Sequence, residues 1–195
     1  IFNREEAEKA LEKRKIKVLL NSTVQEISDQ TIRIMNDAGI KVLDQDVVIW
    51  TAGIKPNLSY VDEQLTQKNG RILVNDKFQI DNCLNSFALG DIAIIKGMED
   101  LPLTAQVAMQ QGNHLAKNIE LLSQEKDLLP FNFQDNGEMI SLGIGEASIS
   151  ALGLTLSGKF AFEVRRLIYA SKMPDVSKSL KSTAAWLFQK KSIMN

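Results

Sequence analysis

The feature that most constrains this chain is a short apolar run that ends in Gly90-Asp91 and is followed by a helix start. The run Phe87-Ala88-Leu89 is typical of a buried strand, and a glycine after it lets the backbone approach a ligand closely. Thr104 is placed as the N-cap of the helix, two residues after Pro102. Helix N-termini carry N–H groups without intrahelical partners and a partial positive charge. This order of elements predicts a cofactor site, with an ordinary turn at Gly90-Asp91 as the alternative.

Three glutamines follow in the predicted helix, which covers residues 104–122. Gln106 and Gln110 are four residues apart and share a helix face, so their amides can bind one carbonyl-bearing ligand together. Glutamine is also a good helix former, and the alternative is that all three, Gln111 included, face solvent. His114 is expected to pack or to lie at the surface rather than to act as a catalyst.

Composition excludes several classes of function. The net charge of -1 over 195 residues predicts no affinity for nucleic acid. A single cysteine, Cys83, excludes an internal disulfide and a pair of thiolate metal ligands, and a single histidine excludes a multi-histidine site. We therefore predict no metal. No apolar run reaches the roughly 18 residues that cross a bilayer.

Periodicity predicts an α/β fold, or α+β for this chain taken alone. Alternating residues predict strands over 23–27 and 31–34, and the apolar run Asp46–Trp50 is typical of a parallel strand covered on both faces. In open α/β sheets ligands bind at the carboxyl ends of strands, which is where Thr51-Ala52-Gly53 would lie. Gly143-Ile144-Gly145 lacks the third glycine of a dinucleotide fingerprint and a following βαβ unit, so we exclude it as a nucleotide site.

The C-terminal region is basic and amphipathic. Between Lys159 and Lys191 there are eight basic side chains and two acidic ones. Helices are predicted over 159–171 and, after Met173-Pro174, over a second segment with apolar residues at helical spacing. Such helices can lie in a membrane interface, and docking on a protein or a second subunit is the alternative. The predicted membrane-docking residues are Arg165, Arg166, Lys178, Lys181 and Trp186.

Three segments together resemble the type II NADH dehydrogenases, which are FAD-containing NAD(P)H:quinone oxidoreductases with two dinucleotide-binding domains. The segments are Trp50–Asn57, Phe87–Asp91 and Ala105–Gly112. The Gly-Asp segment is shared widely among such flavoproteins, whereas the Gln-rich segment is more characteristic of the quinone-reducing branch. Gly137–Gly143 and the helix with Arg165-Arg166 resemble cyanobacterial and plastid members. The similarity covers essentially the whole chain.

The resemblance implies specific roles for several residues. Asp91 would bind the ribityl chain of FAD, with Gly90 allowing close approach. Ala105 and Gln106 would lie against the pyrimidine edge of the isoalloxazine, where the helix N-terminus stabilises negative charge on the reduced flavin. The remaining cofactor and quinone assignments are Thr51, Ala52 and Gly53 near both FAD and NADH or NADPH, and Gln106 with Gln110 at the quinone channel.

The resemblance also implies a domain division and a location. Residues 1–53 would end the NAD(P)H-binding domain, 54–122 would form the second part of the FAD-binding domain, and 123–195 would dock on the membrane. Both Gly-rich fingerprints of the family are missing, and the chain opens on Ile1. We therefore expect a C-terminal half without catalytic residues of its own, inactive alone, and peripheral on the cytoplasmic or stromal membrane face. Strand edges without a neighbour can pair with a second copy of the chain, so a homodimer stays an alternative.

Two rival functions stay open at this point. One is a related flavoprotein reductase that passes electrons to oxygen or a soluble protein. The other is a non-catalytic module that binds a membrane or a partner. Membrane affinity separates the first rival from a quinone reductase, because a soluble acceptor gives no reason for the basic amphipathic helices.

Overall fold

The computed structural model describes residues 1–57, 70–81, 83–173 and 175–189. The chain divides into two compact units: Ile1–Val48 with Asp135–Asn195, and Ile49–Gln134. From their positions in the sequence we call these the terminal unit and the central unit. Helices and antiparallel and parallel strands are mixed, which confirms the predicted α/β class. The division into cofactor and membrane regions stays a prediction.

The terminal unit begins with a helix and a three-stranded antiparallel sheet. The helical spacing of Ala7, Ala10 and Leu11 predicts a helix over residues 2–15, and the structure confirms it as α1. The sheet has the order β1-β2-β3. Asn36 ends the middle strand, and its side-chain oxygen accepts from the N–H of Ala38 at 3.0 Å, which fixes the tight turn to the third strand. The elements are α1 (Phe2–Lys13), β1 (Thr23–Ile27), β2 (Thr31–Asn36) and β3 (Gly39–Asp44).

The central unit contains a four-stranded sheet in the order β6-β5-β4-β7, with β4 and β7 parallel and the other pairs antiparallel. Val74 and Phe78 are fully buried in its core. Asn75 holds the turn before β5, because its side-chain oxygen accepts from the N–H groups of Lys77 and Gln79. The elements are β4 (Ile72–Val74), β5 (Gln79–Ile80), β6 (Cys83–Phe87), β7 (Ala93–Ile95) and α2 (Ala105–Ser123).

The rest of the terminal unit is a second antiparallel sheet followed by two helices. Gly143-Ile144-Gly145 spans the end of β8 and the turn to β9, which explains two glycines so close together. The hydroxyl of Ser179 donates to the carbonyl of Ala170 at 2.9 Å and joins the two helices. The elements are β8 (Glu138–Gly143), β9 (Glu146–Ala151), β10 (Leu154–Ser157), α3 (Gly158–Ser171) and α4 (Val176–Gln189).

Polar contacts connect α1 to this second sheet. Asn3 is buried, its amide nitrogen donates to the carboxylate of Glu138 at 2.9 Å, and its oxygen accepts from the hydroxyl of Ser148. At the other end of the helix, Lys13 and Arg14 both pair with Glu146. Since Ser148 is fully buried, this network satisfies groups that would otherwise be costly to bury.

One predicted strand is wrong. Residues 46–50 have no regular structure, and Val47, Ile49 and Trp50 are 79%, 82% and 59% exposed. The apolar pattern is that of a strand covered on both faces, but a strand exists only where a neighbour accepts its backbone hydrogen bonds. No described residue pairs with this segment as a strand.

Candidate cofactor site

The Gly-Asp turn follows β6 directly. The strand ends at Phe87 rather than extending over the predicted Phe87–Leu89, and Ala88 is buried with its N–H donating to the Phe78 carbonyl at 3.1 Å. Gly90 has φ of 73°, a left-handed conformation that favours glycine, and it opens a single 3-10 turn over Gly90–Ile92. The Asp91 side chain is exposed, and its carboxylate has no partner among the described residues.

The N-terminus of α2 is built as predicted. The helix begins at Ala105 with Thr104 as its N-cap, and the Thr104 hydroxyl accepts from the Val107 N–H at 3.4 Å. Ala105 is exposed and Gln106 is half-buried. Backbone N–H groups of a first helical turn lack intrahelical acceptors, so this end of α2 carries partial positive charge.

A shallow cleft is lined by both the Gly90-Asp91 turn and the helix α2. Among the described residues that line the cleft, Arg71 is the one cation, and two carboxylates lie there as well. The lining is therefore polar as well as apolar. Such a mixture suits a ligand with hydroxyl groups and an electron-rich ring better than a purely apolar one. The residues that line the cleft include Arg71, Gly90, Asp91, Pro102, Ala108 and Gln111.

Gln111 clamps the turn to the helix. The Gly90 N–H donates to the Gln111 side-chain oxygen at 2.6 Å, and Gln111 is only 4% exposed. A Cβ built on Gly90 would lie 3.9 Å from the Ala108 methyl carbon, so turn and helix are close. The alternative in which Gln111 faces solvent is therefore wrong. Its spacing carried the signal, because it lies four residues from both Val107 and Leu115, which are buried.

A second row of polar side chains on α2 holds the segment 129–134. The Gln110 amide nitrogen donates to the Gln134 carbonyl at 2.8 Å, and its oxygen accepts from the Gln134 N–H at 3.0 Å. Asn118 makes the same two-sided contact with the backbone of Leu129, at 2.9 Å each. His114 hydrogen-bonds to the Leu129 carbonyl at 2.9 Å, as a packing histidine does. These residues are four apart, so they form one stripe.

Comparison with known proteins identifies the family of this chain. Residues 2–112 match the family model described as pyridine nucleotide-disulphide oxidoreductase. The chain belongs to this family. This segment of the pyridine nucleotide-disulphide oxidoreductase fold contains the Gly90-Asp91 turn and the start of α2.

Curated relatives confirm the resemblance to type II NADH dehydrogenases. The chain is 31% identical over 207 residues to alternative NAD(P)H-ubiquinone oxidoreductase C1, chloroplastic/mitochondrial, of Arabidopsis thaliana, covering 94% of this chain and 40% of the relative. It is 33% identical to demethylphylloquinone reductase NdbB of Synechocystis, covering 95% and 47%. The type II NADH:quinone oxidoreductase of Staphylococcus haemolyticus is 31% identical, with 66% and 34% covered. The chain thus spans less than half the length of these relatives.

Solved structures show the same fold. NDH2 from Plasmodium falciparum, in a complex with NADH, matches with a TM-score of 0.82 at 14% identity, over 97% of this chain and 55% of that one. The sulfide:quinone oxidoreductase from Aquifex aeolicus matches with a TM-score of 0.64 at 15% identity, over 94% and 48%. At these identities the likeness concerns the fold alone.

The remaining predicted cofactor residues lie elsewhere in the central unit. Thr51, Ala52 and Gly53 are exposed and without regular structure, and the Gly53 N–H donates to the Thr51 carbonyl at 3.1 Å. The structure brings Gly90 together with α2, whereas no described hydrogen bond joins Thr51–Gly53 to that pair. Their roles stay predictions.

The predicted membrane-docking residues lie in the terminal unit and differ among themselves. Lys178 and Lys181 are exposed on α4, whereas Arg165 and Arg166 are half-buried on α3. The Arg166 guanidinium pairs with Glu163 at 3.2 Å, and the Arg165 guanidinium lies 4.5 Å from the ring centroid of Tyr169. Trp186 belongs to α4, but its side chain lies outside the described residues.

The described residues offer neither a metal site nor a membrane-spanning helix. No group of three or more His, Cys, Asp or Glu side chains is placed to hold a metal ion in the part of the chain that the structure describes. Within the same residues, no helix combines the length and the apolar character that crossing a bilayer requires.

Proposed function

We propose that the protein containing this chain passes electrons from NADH or NADPH through bound FAD to a membrane quinone. The observation that carries the proposal is the Gly90-Asp91 turn clamped to the first turns of α2, with an exposed Asp91 carboxylate that has no partner among the described residues. The names of the quinone-reducing relatives support the choice of acceptor.

The Gly90-Asp91 turn and the start of α2 have the chemistry that suits FAD. Asp91 offers a carboxylate acceptor to the hydroxyl groups of a ribityl chain, and Gly90 has no side chain to obstruct a ligand there. Ala105 and Gln106 stand at the positive end of α2, which favours electron density on a flavin ring. Bound FAD supplies the two-electron chemistry, and these residues bind and orient it.

The electron acceptor, quinone, and the electron donor, NAD(P)H, are assigned to further residues of the central unit. We assign Gln106 and Gln110 to the quinone, because their amides provide both N–H donors and carbonyl acceptors. Both polar ends of Gln110 bond to Gln134, so we expect quinone binding to compete with that contact or to use its outer edge. Thr51, Ala52 and Gly53 are assigned to the region where NAD(P)H and FAD meet.

The helices α3 and α4 are assigned to peripheral membrane binding on the cytoplasmic or stromal face. Phe160 and Leu167 on α3 are 67% and 60% exposed, and Val176 and Leu180 on α4 are 75% and 66% exposed. Exposed apolar side chains beside Lys178 and Lys181 are the composition of an interfacial helix. With this assignment, residues 1–53, 54–122 and 123–195 keep their proposed NAD(P)H, FAD and membrane roles.

The decisive experiment is the visible absorption spectrum of the full-length protein, recorded under anaerobic conditions with NADH and then with a quinone. We expect a flavin band that bleaches with NADH and returns with quinone. Recovery with oxygen alone would favour a soluble acceptor, and an absent flavin band would favour a binding module.

The matched variant is Asp91→Ala, with Asp100→Ala as its control. Asp91 lines the cleft, whereas Asp100 is exposed outside it. Loss of a charge-assisted hydrogen bond to a ligand weakens binding by about tenfold or more, so Asp91→Ala should be purified with little flavin. Normal flavin content in Asp91→Ala would remove the central assignment.

A further inference from the structure

We propose that Gln111 is a positioning residue of the cofactor site, which couples the Gly90-Asp91 turn to α2 and presents its own amide N–H to the bound ligand. The inference rests on the proposed function, since the ligand in question is the flavin. It concerns a residue for which the sequence left a solvent-facing position open and which the structure buries to 4% exposure.

The orientation of the Gln111 amide follows from its partner. The Gly90 N–H is a donor, so the atom 2.6 Å from it must be the amide oxygen of Gln111 rather than the nitrogen. The nitrogen is therefore on the other side of the amide. Among the described residues it has no hydrogen-bond acceptor, and Gln111 lines the cleft beside Asp91.

The Gln111 nitrogen is not fully buried, because Arg165 Nε alone is a buried side-chain nitrogen or oxygen without a partner among the described residues. A partly accessible amide N–H at the cleft can donate to a ligand or to water. Because Gln111 is neutral, it offers an N–H without adding charge beside the Asp91 carboxylate. The ligand atom that it suits is a hydrogen-bond acceptor, such as a ring carbonyl or a ring nitrogen.

The clamp also has a mechanical consequence. Gly90 has a left-handed φ of 73°, and its N–H is held by the Gln111 side chain of α2, three residues after Ala108. The turn that presents Asp91 is thus fixed to the helix that presents Ala105 and Gln106. Loss of the clamp would leave both elements folded but would free the turn to move relative to the helix.

The test compares two substitutions that separate the roles of the amide oxygen and the amide nitrogen. Gln111→Met removes both, whereas Gln111→Glu keeps an acceptor for Gly90 and loses the donor once its carboxyl group is ionised. Three quantities are measured: hydrogen exchange of the Gly90 amide by NMR, the dissociation constant for FAD, and the midpoint potential of the bound flavin. Asn113→Met, exposed on the same helix, is the control.

For Gln111→Met we expect Gly90 to exchange at least about tenfold faster and FAD to bind about tenfold more weakly, since the half-buried Gly90 N–H loses its acceptor. For Gln111→Glu we expect Gly90 to stay protected while the flavin potential falls below that of the wild-type protein at the same pH, because a negative charge replaces a donor. Asn113→Met should match the wild-type protein in all three quantities.

Two results would overturn the inference. Unchanged Gly90 exchange in Gln111→Met would show that no clamp exists. Faster exchange with unchanged flavin affinity and potential would show that Gln111 serves the fold alone. A wild-type protein that binds no flavin is a different failure, because it removes the proposed function and this inference with it. Exchange of the Gly90 amide would still show in that case whether Gln111 holds the turn.

Discussion

The helix α2 and the helix pair α3–α4 use amphipathic sequences in opposite ways. In α2 polar side chains turn inward: Gln111 and Asn118 are 4% and 1% exposed, and each bonds to a backbone group outside the helix. In α3 and α4 apolar side chains turn outward, with Leu167 and Leu180 at 60% and 66% exposure. Two apolar residues of α2, Ile119 and Leu122, are exposed as well.

This contrast separates internal structure from surface available to partners. A polar group inside a protein is stable only when it is hydrogen-bonded, so the inward residues of α2 report contacts that the fold already makes. Exposed apolar side chains in a row report the opposite, since burial of that surface against something else is still favourable. The inward residues of α2 therefore report on internal structure, and the outward residues of α3–α4 report on surface that is open to association.

The largest effect is expected from Asn118→Leu on α2, which tests whether the inward polar residues of this helix stabilise the fold. The Leu129 N–H would lose its acceptor, so we expect the central unit to be destabilised by about 2 kcal/mol. Urea unfolding and hydrogen exchange of the Leu129 amide measure this loss. The control is Asn113→Leu, which is exposed on the same helix and should change stability by less than about 0.5 kcal/mol. Equal effects would show that burial does not separate the two asparagines.

The double substitution Leu167→Ser and Leu180→Ser tests the outward face of α3–α4. Because both side chains are exposed, stability should change little, whereas affinity for vesicles with anionic lipid should fall about tenfold or more. Vesicle co-sedimentation measures the affinity. Ile119→Ser, an exposed apolar residue of α2, is the matched control. Unchanged sedimentation of the double variant would direct the search toward a protein partner.

Gln110→Leu tests whether this polar residue of α2 contacts quinone or only holds the segment 129–134. If the amide contacts quinone, the quinone KM should rise several-fold while reduction of the flavin by NADH stays nearly unchanged. If the amide serves only to hold Gln134, both half-reactions should slow together as segment 129–134 loosens. Stopped-flow absorbance separates the two half-reactions, and Asn113→Leu again supplies the reference.

The smallest effect is expected at Glu146, which joins α1 to the second sheet. Hydrogen bonds from Lys13 and then Arg14 hold the pKa of this carboxyl below its ordinary value. The stabilisation is therefore present above the ordinary carboxyl pKa and is lost as the pH falls through the lowered folded-state value. Glu146→Gln should be slightly less stable than wild type at neutral pH and indistinguishable at strongly acidic pH. A difference that persists in acid would assign the effect to packing.

Local sequence signals predicted the ends of the important elements. Thr104 and Pro102 mark the start of α2, and residues 23–27 are confirmed as β1. The Gly90-Asp91 turn was also evident, because a left-handed turn favours glycine. These features depend on neighbours within a few residues, so one sequence contains the information.

Features that depend on distant partners were less predictable. The apolar run at 46–50 has the composition of a buried strand, but a strand needs a neighbour that the local sequence does not specify. The partners of Gln111 and Asn118 were not predictable for the same reason. The structure buries both side chains, and each bonds to a backbone group far away in the chain.

The sequence by itself determined the α/β class, the four helices and the family, because these depend on periodicity, capping and short motifs. Only the tertiary structure decided that Gln111 clamps Gly90 and that the stripe from Gln110 to Asn118 holds segment 129–134. The physical reason is that a buried polar side chain is as stable as its hydrogen bonds allow. Its partners here lie 11 to 24 positions away in the chain.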